Sequence, residues 1–423
     1  MVRKIQSKKK SDAAVIILAG GEGTRLQPLT EVRCKPAISF GGRYRIIDVP
    51  LSNALNSEFK DIFVISQFLA TSLNNYISET YPADSTHGAH IELLSPEETA
   101  TKKIWYKGTA DAVRKNLSYI LQHDADYFII LSGDQLYSMD IKEMLAFAKK
   151  NDADLTIATI PVAEPEAKRM GVMKINSDFE ISDFFEKPKD KETIMKFAIA
   201  PHIAAKHKAL HDLSFLGSMG IYVFKRDALI DLLQEDPRED FGKHLIPSQL
   251  KKGKTFAYIF DGYWEDIGTI SSYYHANLDL TRNLECLDLY DEHRPIYSQS
   301  LSLPSPRLSN TLVTDAIICD GSVIKAKEIS NSMIGLKTNI EEGCNIFDSI
   351  FIGWSPHSTR EPITIGKNCT IRKAILDEGV RIGNNVNLTN EKKLKEYKDE
   401  LITVREGIII VKAGTTLPNN FKF

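Results

Sequence analysis

The stretch ILAGGEGTRLQPLTEVRCKP, residues Ile17 to Pro36, decides how the chain must fold. It continues the apolar run Val15–Ala19, breaks into a glycine-rich turn and reaches the cation Arg25. Nine residues then separate Arg25 from Lys35. A glycine turn directly after a buried strand lets backbone amides approach an anion such as a phosphate closely. The stretch therefore predicts a strand that ends at the edge of a phosphate-binding site.

The glycine pattern alone leaves other interpretations open. It is not a P-loop, because it lacks the GK[ST] ending, and Leu26 stands where a dinucleotide fingerprint needs its third glycine. A tight structural turn explains the glycines about as well.

The two cations favour phosphate binding over a purely structural turn. Arg25 can fork onto phosphate oxygens. Pro36 is expected to restrict Lys35 to extended conformations, which would aim its ammonium back at the same site.

The first two thirds of the chain alternate short apolar runs with helical patterns. We predict helices over Asp111–Gln122 and Ile141–Lys149, the second capped by Asp140. The predicted strands are Val15–Ala19, Ile62–Ser66, Tyr127–Leu131 and Leu155–Ile160. Apolar strands flanked by helices favour a Rossmann-like α/β fold, a mostly parallel sheet covered on both faces. Ligands lie at the carboxyl ends of such strands, which places Asp134 at the site.

The last quarter has a different pattern. Aliphatic residues recur every six positions, as at Ile334, Ile340, Ile346 and Ile352, with glycines between them. Such a period predicts a parallel, left-handed β-helix in which aliphatic residues of successive rungs stack, and chance alternation in an all-β domain is the alternative. The predicted organisation is a disordered tail (1–12), a catalytic domain (13–293), a Pro- and Ser-rich linker (294–310) and the β-helix (311–423).

Composition and charge exclude several classes of protein. The 423 residues carry 53 basic and 56 acidic side chains, so there is no electrostatic footprint for nucleic acid. No apolar run approaches the roughly 18 residues that cross a bilayer, so we expect no membrane partner. The five cysteines form no CxxC pair and are interpreted as reduced thiols. His202, His207 and His211 lack an HExxH glutamate, and we interpret them as a charged loop rim.

Further stretches, in order along the chain, narrow the interpretation. They read PAISFGGRYRIIDVPLSNALNS, WYKGTADAVRKN, FFEKP, GSMGIYVF, DFGKHLIP and YWEDIGT. With the opening motif, they resemble the ADP-glucose pyrophosphorylase family, and in GYWEDIGT its plant and cyanobacterial branch. The resemblance implies transfer of the adenylyl group of ATP to glucose 1-phosphate, with release of pyrophosphate, in glycogen or starch synthesis.

Such chemistry needs positive charge more than it needs a base. A sugar phosphate is already ionised at neutral pH, and the barrier is repulsion between two anions. Mg²⁺ prefers hard carboxylate oxygens. Asp134 follows the apolar run FIILS, and Asp266 follows an apolar stretch and a glycine turn, so both are candidate ligands. A turn or helix cap is the alternative role for each aspartate.

Position by position, the resemblance implies the site residues. Arg25, Lys35 and Asp134 are implied as catalytic, with Mg²⁺ on Asp134 and Asp266. The implied nucleotide-binding residues are Leu18, Gly20, Gly21, Gly23, Thr24, Gln67, Trp105, Gly108, Thr109 and Asp111. The implied sugar-phosphate-binding residues are Tyr106, Gly171, Glu186, Lys187, Ser218 and Asp266.

Two of these roles also follow from the residues themselves. The Glu186 carboxylate can accept hydrogen bonds from two hydroxyls, and the Lys187 ammonium can pair with a phosphate. A solvated ion pair before Pro188 is the alternative.

The chain departs from the family at two positions. Gln135 stands where the family commonly has histidine, and Val32 stands where relatives often carry a lysine that contributes to activator binding. The resemblance makes a phosphorylated metabolite possible as an effector. Its candidate ligands are the β-helix cations Lys367, Arg372 and Lys412, for which a solvated surface charge is the alternative.

Two other functions stay open: a related enzyme of the GDP-mannose type, and a non-catalytic regulatory subunit. A degenerate subunit is expected to lose charge at Arg25 or Lys35, and both are present. The family implies a homotetramer or heterotetramer, and the open ends of a β-helix predict subunit contacts. We expect a cytoplasmic protein; a plastid stays open as an alternative, although no transit peptide is visible.

Overall fold

The computed structural model describes residues 11–82, 88–96, 98–99, 102–103, 105–210, 214–282 and 286–423. In these ranges the chain forms an α/β domain followed by a β-helix. The strands of the first domain are β1 (Ser11–Ala19), β2 (Ser39–Phe40), β3 (Tyr44–Arg45), β4 (Asp61–Ser66), β5 (His90–Leu94), β6 (Glu98–Thr99), β7 (Lys102–Lys103), β8 (Ala125–Ser132), β9 (Gln135–Tyr137), β10 (Leu155–Val162), β11 (Gly171–Ile175), β12 (Ile181–Glu186), β13 (Phe215–Lys225), β14 (Thr255–Ile259) and β15 (Trp264–Asp266). The helices are α1 (Asp48–Asn56), α2 (Ala70–Thr80), α3 (Thr109–Ile120), α4 (Ile141–Lys150), α5 (Glu164–Ala167), α6 (Lys191–Met195), α7 (Pro201–Ala204), α8 (Arg226–Glu235), α9 (Ile246–Gln249) and α10 (Ile270–Arg282).

The central sheet has the strand order β12-β11-β13-β8-β1-β4-β5, and β10 joins β13 to β14. β8, β1, β4 and β5 are parallel to one another. The antiparallel pairs β8–β13, β13–β11 and β11–β12 extend the sheet on one side. The predicted α/β class with a mostly parallel sheet is confirmed at this core.

Helices cover both faces of the sheet, as the apolar strands require. Along β1, Val15 and Ile17 point into one buried core, while Ala14 and Ile16 point into another. The first core includes α1, α4 and α10, and the second includes α3 and α8. No helix in the described ranges is long and apolar enough to cross a membrane.

The predicted strands and helices are present, with shifted ends. β1 begins at Ser11 because its amide donates a hydrogen bond to Asp124 O (2.8 Å), so Ser11 and Asp12 do not belong to the predicted tail. Residues 1–10 of that tail lie outside the described residues. α4 begins after Asp140, whose side chain accepts a hydrogen bond from the Lys142 amide, as predicted for its cap.

Sixteen short strands form the β-helix among the described residues. They are β16 (Arg307–Leu308), β17 (Leu312–Ile318), β18 (Val323–Ile324), β19 (Glu328–Ile334), β20 (Asn339–Ile340), β21 (Asn345–Phe347), β22 (Ile350–Phe351), β23 (Thr364–Ile365), β24 (Thr370–Arg372), β25 (Ala374–Leu376), β26 (Arg381–Ile382), β27 (Asn387–Leu388), β28 (Glu396–Lys398), β29 (Ile402–Arg405), β30 (Ile408–Val411) and β31 (Thr416–Leu417).

The β-helix is a triangular prism with three faces of parallel strands. One face is β16-β18-β20-β23-β26-β31, a second contains β21, β24 and β27, and a third contains β22, β25 and β30. Residues with positive φ mark the corners, such as Asn368 (57°) and Asp348 (48°). Asparagine and aspartate enter this conformation at lower cost than most residues.

The six-residue period was interpreted wrongly in one respect. Six residues carry the chain from one face to the next, so stacking neighbours lie a whole coil apart, as Ile340 does from Ile324 and Ile365. At the end of the first run, Phe351 rather than Ile352 stacks on Ile334.

The predicted linker is attached to both domains. Arg307 and Leu308 already pair with β18, so the first β-helix strand lies within the segment 294–310. Upstream, the Tyr297 amide donates a hydrogen bond to Ser52 Oγ (2.8 Å) on α1. The segment therefore acts as a packed connection and not as a free spacer.

The two domains share a buried interface. Arg33 Nη1 lies 2.8 Å from Asp377 Oδ1, and Arg33 Nη2 lies 3.5 Å from Glu378 Oε2. The Tyr274 hydroxyl on α10 donates a hydrogen bond to Asp348 O (2.6 Å). The β-helix residues that join the main catalytic-domain core are Met333, Ile350, Ile352, Ile375, Ile408 and Ile410.

Candidate active site

A cavity of about 500 Å³ lies at the carboxyl ends of β1, β4 and β8. This is the position that a parallel sheet predicts for a ligand. Most of the residues predicted from sequence line it: Leu18, Gly20, Gly21, Gln67, Tyr106, Gly108, Thr109, Asp134, Gly171, Glu186, Lys187, Ser218 and Asp266. The predicted residues that do not line its wall are Gly23, Thr24, Arg25, Lys35, Trp105 and Asp111.

The glycines of the opening motif serve different purposes. A Cβ on Gly21 would meet nothing within 4 Å, so the space above it is open to a ligand. Gly23 has φ 67°, and a Cβ there would lie 3.0 Å from Thr30 Cγ2 and 3.1 Å from Lys35 Cβ. Gly23 is therefore required by the turn itself, while Gly21 leaves backbone exposed at the cavity.

Lys35 is not extended, contrary to the sequence-based expectation. It is the first residue of a 3₁₀ turn, Lys35–Ala37. The Ala37 and Ile38 amides donate hydrogen bonds to Cys34 O (3.0 Å) and Lys35 O (3.1 Å), and these bonds override the preference that Pro36 imposes. The turn holds Lys35 buried, with its ammonium directed at two carboxylates.

The Lys35 ammonium joins the two predicted metal ligands. Its Nζ lies 2.6 Å from Asp134 Oδ2 and 3.4 Å from Asp266 Oδ1. Burial disfavours the Lys35 cation, but the two carboxylates outweigh this effect and raise the pKa of Lys35. Burial likewise acts against an ionised Asp134, but Lys35 and the Ser132 hydroxyl lower the pKa of that carboxyl. The pair is therefore charged at neutral pH.

The pKa of Asp266 is set by a different balance of burial and neighbouring charges. Loss of solvent around this carboxylate, whose side chain is still 46% exposed, acts with the nearby Asp134 charge to raise the pKa of Asp266 in spite of Lys35. Arg25 lies on the same side: a Cβ on Gly268 would be 3.2 Å from Asp266 Oδ2 and 3.4 Å from Arg25 Nη2. Arg25 thus lies at the rim beside Asp266, as an exposed residue of the turn Thr24–Leu26.

Glu186 and Lys187 lie at the carboxyl end of β12. Glu186 Oε1 is 3.2 Å from Lys187 Nζ. Gly171 and Gly242 lie against the carboxylate, since a Cβ on either would come within 2.7 Å and 2.8 Å, respectively, of Glu186 Oε2. Lys187 has φ 53°, a conformation that costs energy in a non-glycine residue and occurs often at functional sites. The fold thus presents a carboxylate and an exposed ammonium side by side.

The opposite wall is built from a loop braced by polar groups. Gln67 exchanges two hydrogen bonds with the backbone of Tyr106. A Cβ on Gly108 would lie 2.4 Å from Glu239 O, which accepts hydrogen bonds from the first amides of α3. Gly108 is therefore required by close backbone packing within the protein.

Asp111 and Trp105 support this wall from behind. The Asp111 carboxylate accepts hydrogen bonds from the Lys107 amide (2.9 Å) and from Lys115 Nζ (2.7 Å). The Trp105 ring centroid lies 5.2 Å from that of Phe68, which lines the cavity. Both residues are implied as nucleotide ligands by the family resemblance, and neither lines the cavity wall in this structure.

Gln135 is a brace between two strands. Its Nε2 donates a hydrogen bond to Met219 O (2.6 Å), and its Oε1 accepts one from Trp264 Nε1 (3.2 Å). Both ends of the amide are therefore occupied by protein.

Several lining residues were missed from sequence. They are Ile65, Phe68, Lys107, Ala112, Arg169, Met170, Met219, Gly220, Tyr222, Asp240, Phe241, Gly242 and Trp264. Asp240, Phe241 and Gly242 belong to the stretch DFGKHLIP, which carried a family signal but no local chemical pattern. Cys34 is buried, and its burial raises the pKa of the thiol to about 11.

The three candidate effector ligands do not form one site. Lys367 lies in the turn between β23 and β24, Arg372 is the last residue of β24 before the turn to β25, and Lys412 lies in the turn after β30. These turns are the three different corners of the prism. Lys367 also pairs with Glu342 (3.2 Å), and Arg372 pairs with Asp348 (3.4 Å). The structure does not bring these cations together around one anion.

One wall of the cavity presents backbone and cations suited to a polyphosphate, and the other presents a carboxylate and an ammonium suited to a hydroxylated phosphate. This arrangement defines the class: an α/β transferase that acts between two phosphorylated substrates. Residues 14–283 match the nucleotidyl transferase family, and the chain belongs to that family. Residues 302–421 match the GLGC left-handed parallel beta-helix domain. The two domains in this order are typical of the ADP-glucose pyrophosphorylase family.

Proposed function

We propose that this protein transfers the adenylyl group of ATP to α-D-glucose 1-phosphate and so produces ADP-glucose and pyrophosphate. The observation that carries the proposal is that Asp134 and Asp266, both paired with the buried ammonium of Lys35, line the same cavity as Glu186 and Lys187. Such a cavity can hold both substrates at once and align them, which accounts for much of the rate gain in group transfer.

The reaction is a displacement at the α-phosphorus of ATP. A phosphate oxygen of the sugar phosphate attacks that phosphorus, the bond to the bridging oxygen breaks, and pyrophosphate leaves. No protein base is required, because the attacking oxygen is already anionic. The protein must lower the repulsion between the two anions. Lys35 and Arg25 are assigned to the triphosphate, and Lys187 is assigned to the sugar phosphate.

Glu186 is assigned to the sugar hydroxyls. Its carboxylate can accept hydrogen bonds from two hydroxyls, and Gly171 and Gly242 leave it accessible from the cavity. Ser218 lines the same end of the cavity.

The residues present fit a bound Mg²⁺. Asp134 Oδ2 and Asp266 Oδ1 both lie within 3.4 Å of Lys35 Nζ, so an ammonium ion already occupies a position between two carboxylates. Mg²⁺ is commonly held by one or two carboxylates together with substrate phosphates. When bound, the ion would neutralise charge on the phosphates. The chain's own part is to hold both carboxylates ionised toward the cavity and to release Lys35 to the phosphates.

The choice of adenine and glucose rests on the motifs. GTADAVRKN lies on the loop and α3 that form the nucleotide wall, and YWEDIGT supplies Asp266. These stretches resemble the ADP-glucose enzymes, and GYWEDIGT their plant and cyanobacterial branch. A tetramer and regulation by a phosphorylated metabolite are part of the same proposal.

A grid assay tests the proposal. Purified protein with Mg²⁺ is given each of ATP and GTP with each of glucose 1-phosphate and mannose 1-phosphate, and pyrophosphate release is measured. We expect turnover with ATP and glucose 1-phosphate, and loss of most of it in the Asp134→Asn variant with the fold retained. Preference for GTP and mannose 1-phosphate would replace the adenylyl assignment. If the folded wild-type protein releases no pyrophosphate with any pair of nucleotide and sugar phosphate, a non-catalytic regulatory subunit is favoured.

A further inference from the structure

A second cluster of metal-binding side chains lies at the amino-terminal edge of the catalytic sheet, away from the cavity. His90 and Glu92 stand two residues apart on β5, so both point to the same face of the sheet. His123 reaches the same face from the turn after α3. One ligand atom of each residue lies within 4.8 Å of the others.

The sheet register brings these residues together. β4 and β5 are parallel, with Asp61 opposite His90 and Phe63 opposite Glu92. The His123 ring lies edge-on against Phe63, with centroids 5.0 Å apart, and nearly parallel to the His90 ring, with centroids 6.1 Å apart. His123 is buried and His90 is exposed, so the cluster has a packed side and an open side.

Asp61 orients the buried histidine. His123 Nδ1 lies 2.7 Å from Asp61 Oδ1, a hydrogen-bond distance, which leaves Nε2 directed at Glu92. The distance from Nε2 to Glu92 Oε2 is 3.8 Å, too long for a hydrogen bond. Ligands of a tetrahedral zinc ion lie roughly 3.4 Å apart, given metal–ligand bonds of about 2.0–2.2 Å. A carboxylate behind a ligating histidine is the usual second layer of such a site.

We propose that His90, Glu92 and His123 bind one divalent transition-metal ion, with Zn²⁺ preferred. Two imidazoles and a carboxylate suit Zn²⁺, whereas Mg²⁺ prefers an all-oxygen set. A water molecule completes the coordination on the open side. The ion joins β5, the edge strand among the described residues, to the turn between α3 and β8.

The role of this ion is structural. β4 separates the cluster from the catalytic cavity by roughly 17 Å, at about 3.3 Å per strand residue. The three ligands come together only when the chain is folded. Binding of the ion therefore shifts the folding equilibrium toward the native state. The sequence did not indicate this site, since its ligands come from elements that only the folded sheet brings together.

Metal binding to the whole purified chain tests the proposal. Protein freed of metal by chelation is titrated with Zn²⁺ in excess Mg²⁺, which occupies the catalytic carboxylates, and Co²⁺ serves as a probe of tetrahedral geometry. We expect one Zn²⁺ per chain and a rise in the thermal unfolding midpoint. His90→Ala and Glu92→Gln should each weaken binding at least tenfold, and Asp61→Asn should weaken it about 10- to 100-fold.

The matched control is His202→Ala, which removes another exposed histidine of the same domain and should leave the affinity for Zn²⁺ unchanged. Equal affinity in the wild type and in His90→Ala and Glu92→Gln would assign the metal elsewhere and overturn the proposal. Absence of Zn²⁺ binding to folded wild-type protein would also overturn it. The grid assay is run with Mg²⁺, so its result does not depend on this site.

Discussion

The ion pair between Arg33 and Asp377 joins the catalytic domain to the β-helix, and Asp377→Asn tests how much it stabilises the fold. Both side chains are nearly inaccessible, with 7% and 1% of their surface exposed. The substitution keeps the shape of the side chain and an acceptor for the Glu378 amide, but it removes the negative charge. The Arg33 guanidinium is then buried with a weaker partner.

The expected loss of stability in Asp377→Asn depends on the burial of Arg33 and on the acidic partner that Arg33 keeps. Removing one partner of a buried ion pair costs about 3–5 kcal/mol, because the other charge stays buried and uncompensated. Glu378 Oε2 remains 3.5 Å from Arg33 Nη2 and offsets part of this loss. We therefore expect the free energy of unfolding to fall by about 3 kcal/mol. Turnover should fall too, since Arg33 lies two residues before Lys35.

Urea unfolding at fixed protein concentration and pH 7 measures the effect. Asp320→Asn is the matched control, because Asp320 pairs with Arg43 across the same two domains, at 3.6 Å, with 40% and 37% of their side chains exposed. An exposed pair contributes roughly 0–1 kcal/mol. The double variant Arg33→Met, Asp377→Leu should recover much of the loss, since apolar replacement of a buried pair is often neutral. If Asp377→Asn cost no more than Asp320→Asn, the argument from burial would be wrong.

Three further predictions concern the site and its supports. Lys187→Ala should raise the KM for the sugar phosphate about 10- to 100-fold, which corresponds to the loss of a charged hydrogen bond. The KM for the nucleotide should rise far less. Equal effects on both KM values in initial-rate kinetics would contradict the assignment of Lys187 to the sugar phosphate. Burial raises the pKa of Asp48 to about 6 from an ordinary 3.8, so native protein binds this proton more tightly than unfolded chain does. As pH falls from 7 to 4, urea unfolding should therefore show wild type gaining about 2 kcal/mol relative to Asp48→Asn, and parallel curves would refute the shift. Gly108→Ala places a Cβ 2.4 Å from Glu239 O and should cost about 1–3 kcal/mol in thermal unfolding, whereas Gly21→Ala, with nothing within 4 Å, should keep stability and lose activity.

Local patterns in the sequence were enough to locate the strands and the cavity. β1, β4, β8 and β10 were each predicted from an apolar run, because a parallel strand buried on both faces needs apolar residues at nearly every position. The cavity followed from the glycine turn after β1 and from Asp134 after β8, since parallel strands end at the same edge of a sheet.

Two features of the site were not predicted from the sequence, although the contacts that produce them join residues at most four positions apart. The turn that buries Lys35 overrode the local effect of Pro36 because two backbone hydrogen bonds favour the 3₁₀ conformation. Asp111 lies outside the cavity wall, with its carboxylate held by the Lys107 amide and the Lys115 ammonium.

The sequence by itself determined the α/β class and the β-helix, because hydrophobic period, glycine turns and charge type are local properties of a chain, and its resemblance to a known family supplied about half of the residues around the cavity. The tertiary structure decided the rest: which face of the β-helix each cation occupies, how Arg33 joins the two domains, and that His90, Glu92 and His123 meet at one edge. These features depend on strand register and on the order of strands in the sheet. Packing between distant parts of the chain sets both, so no short segment of sequence encodes them.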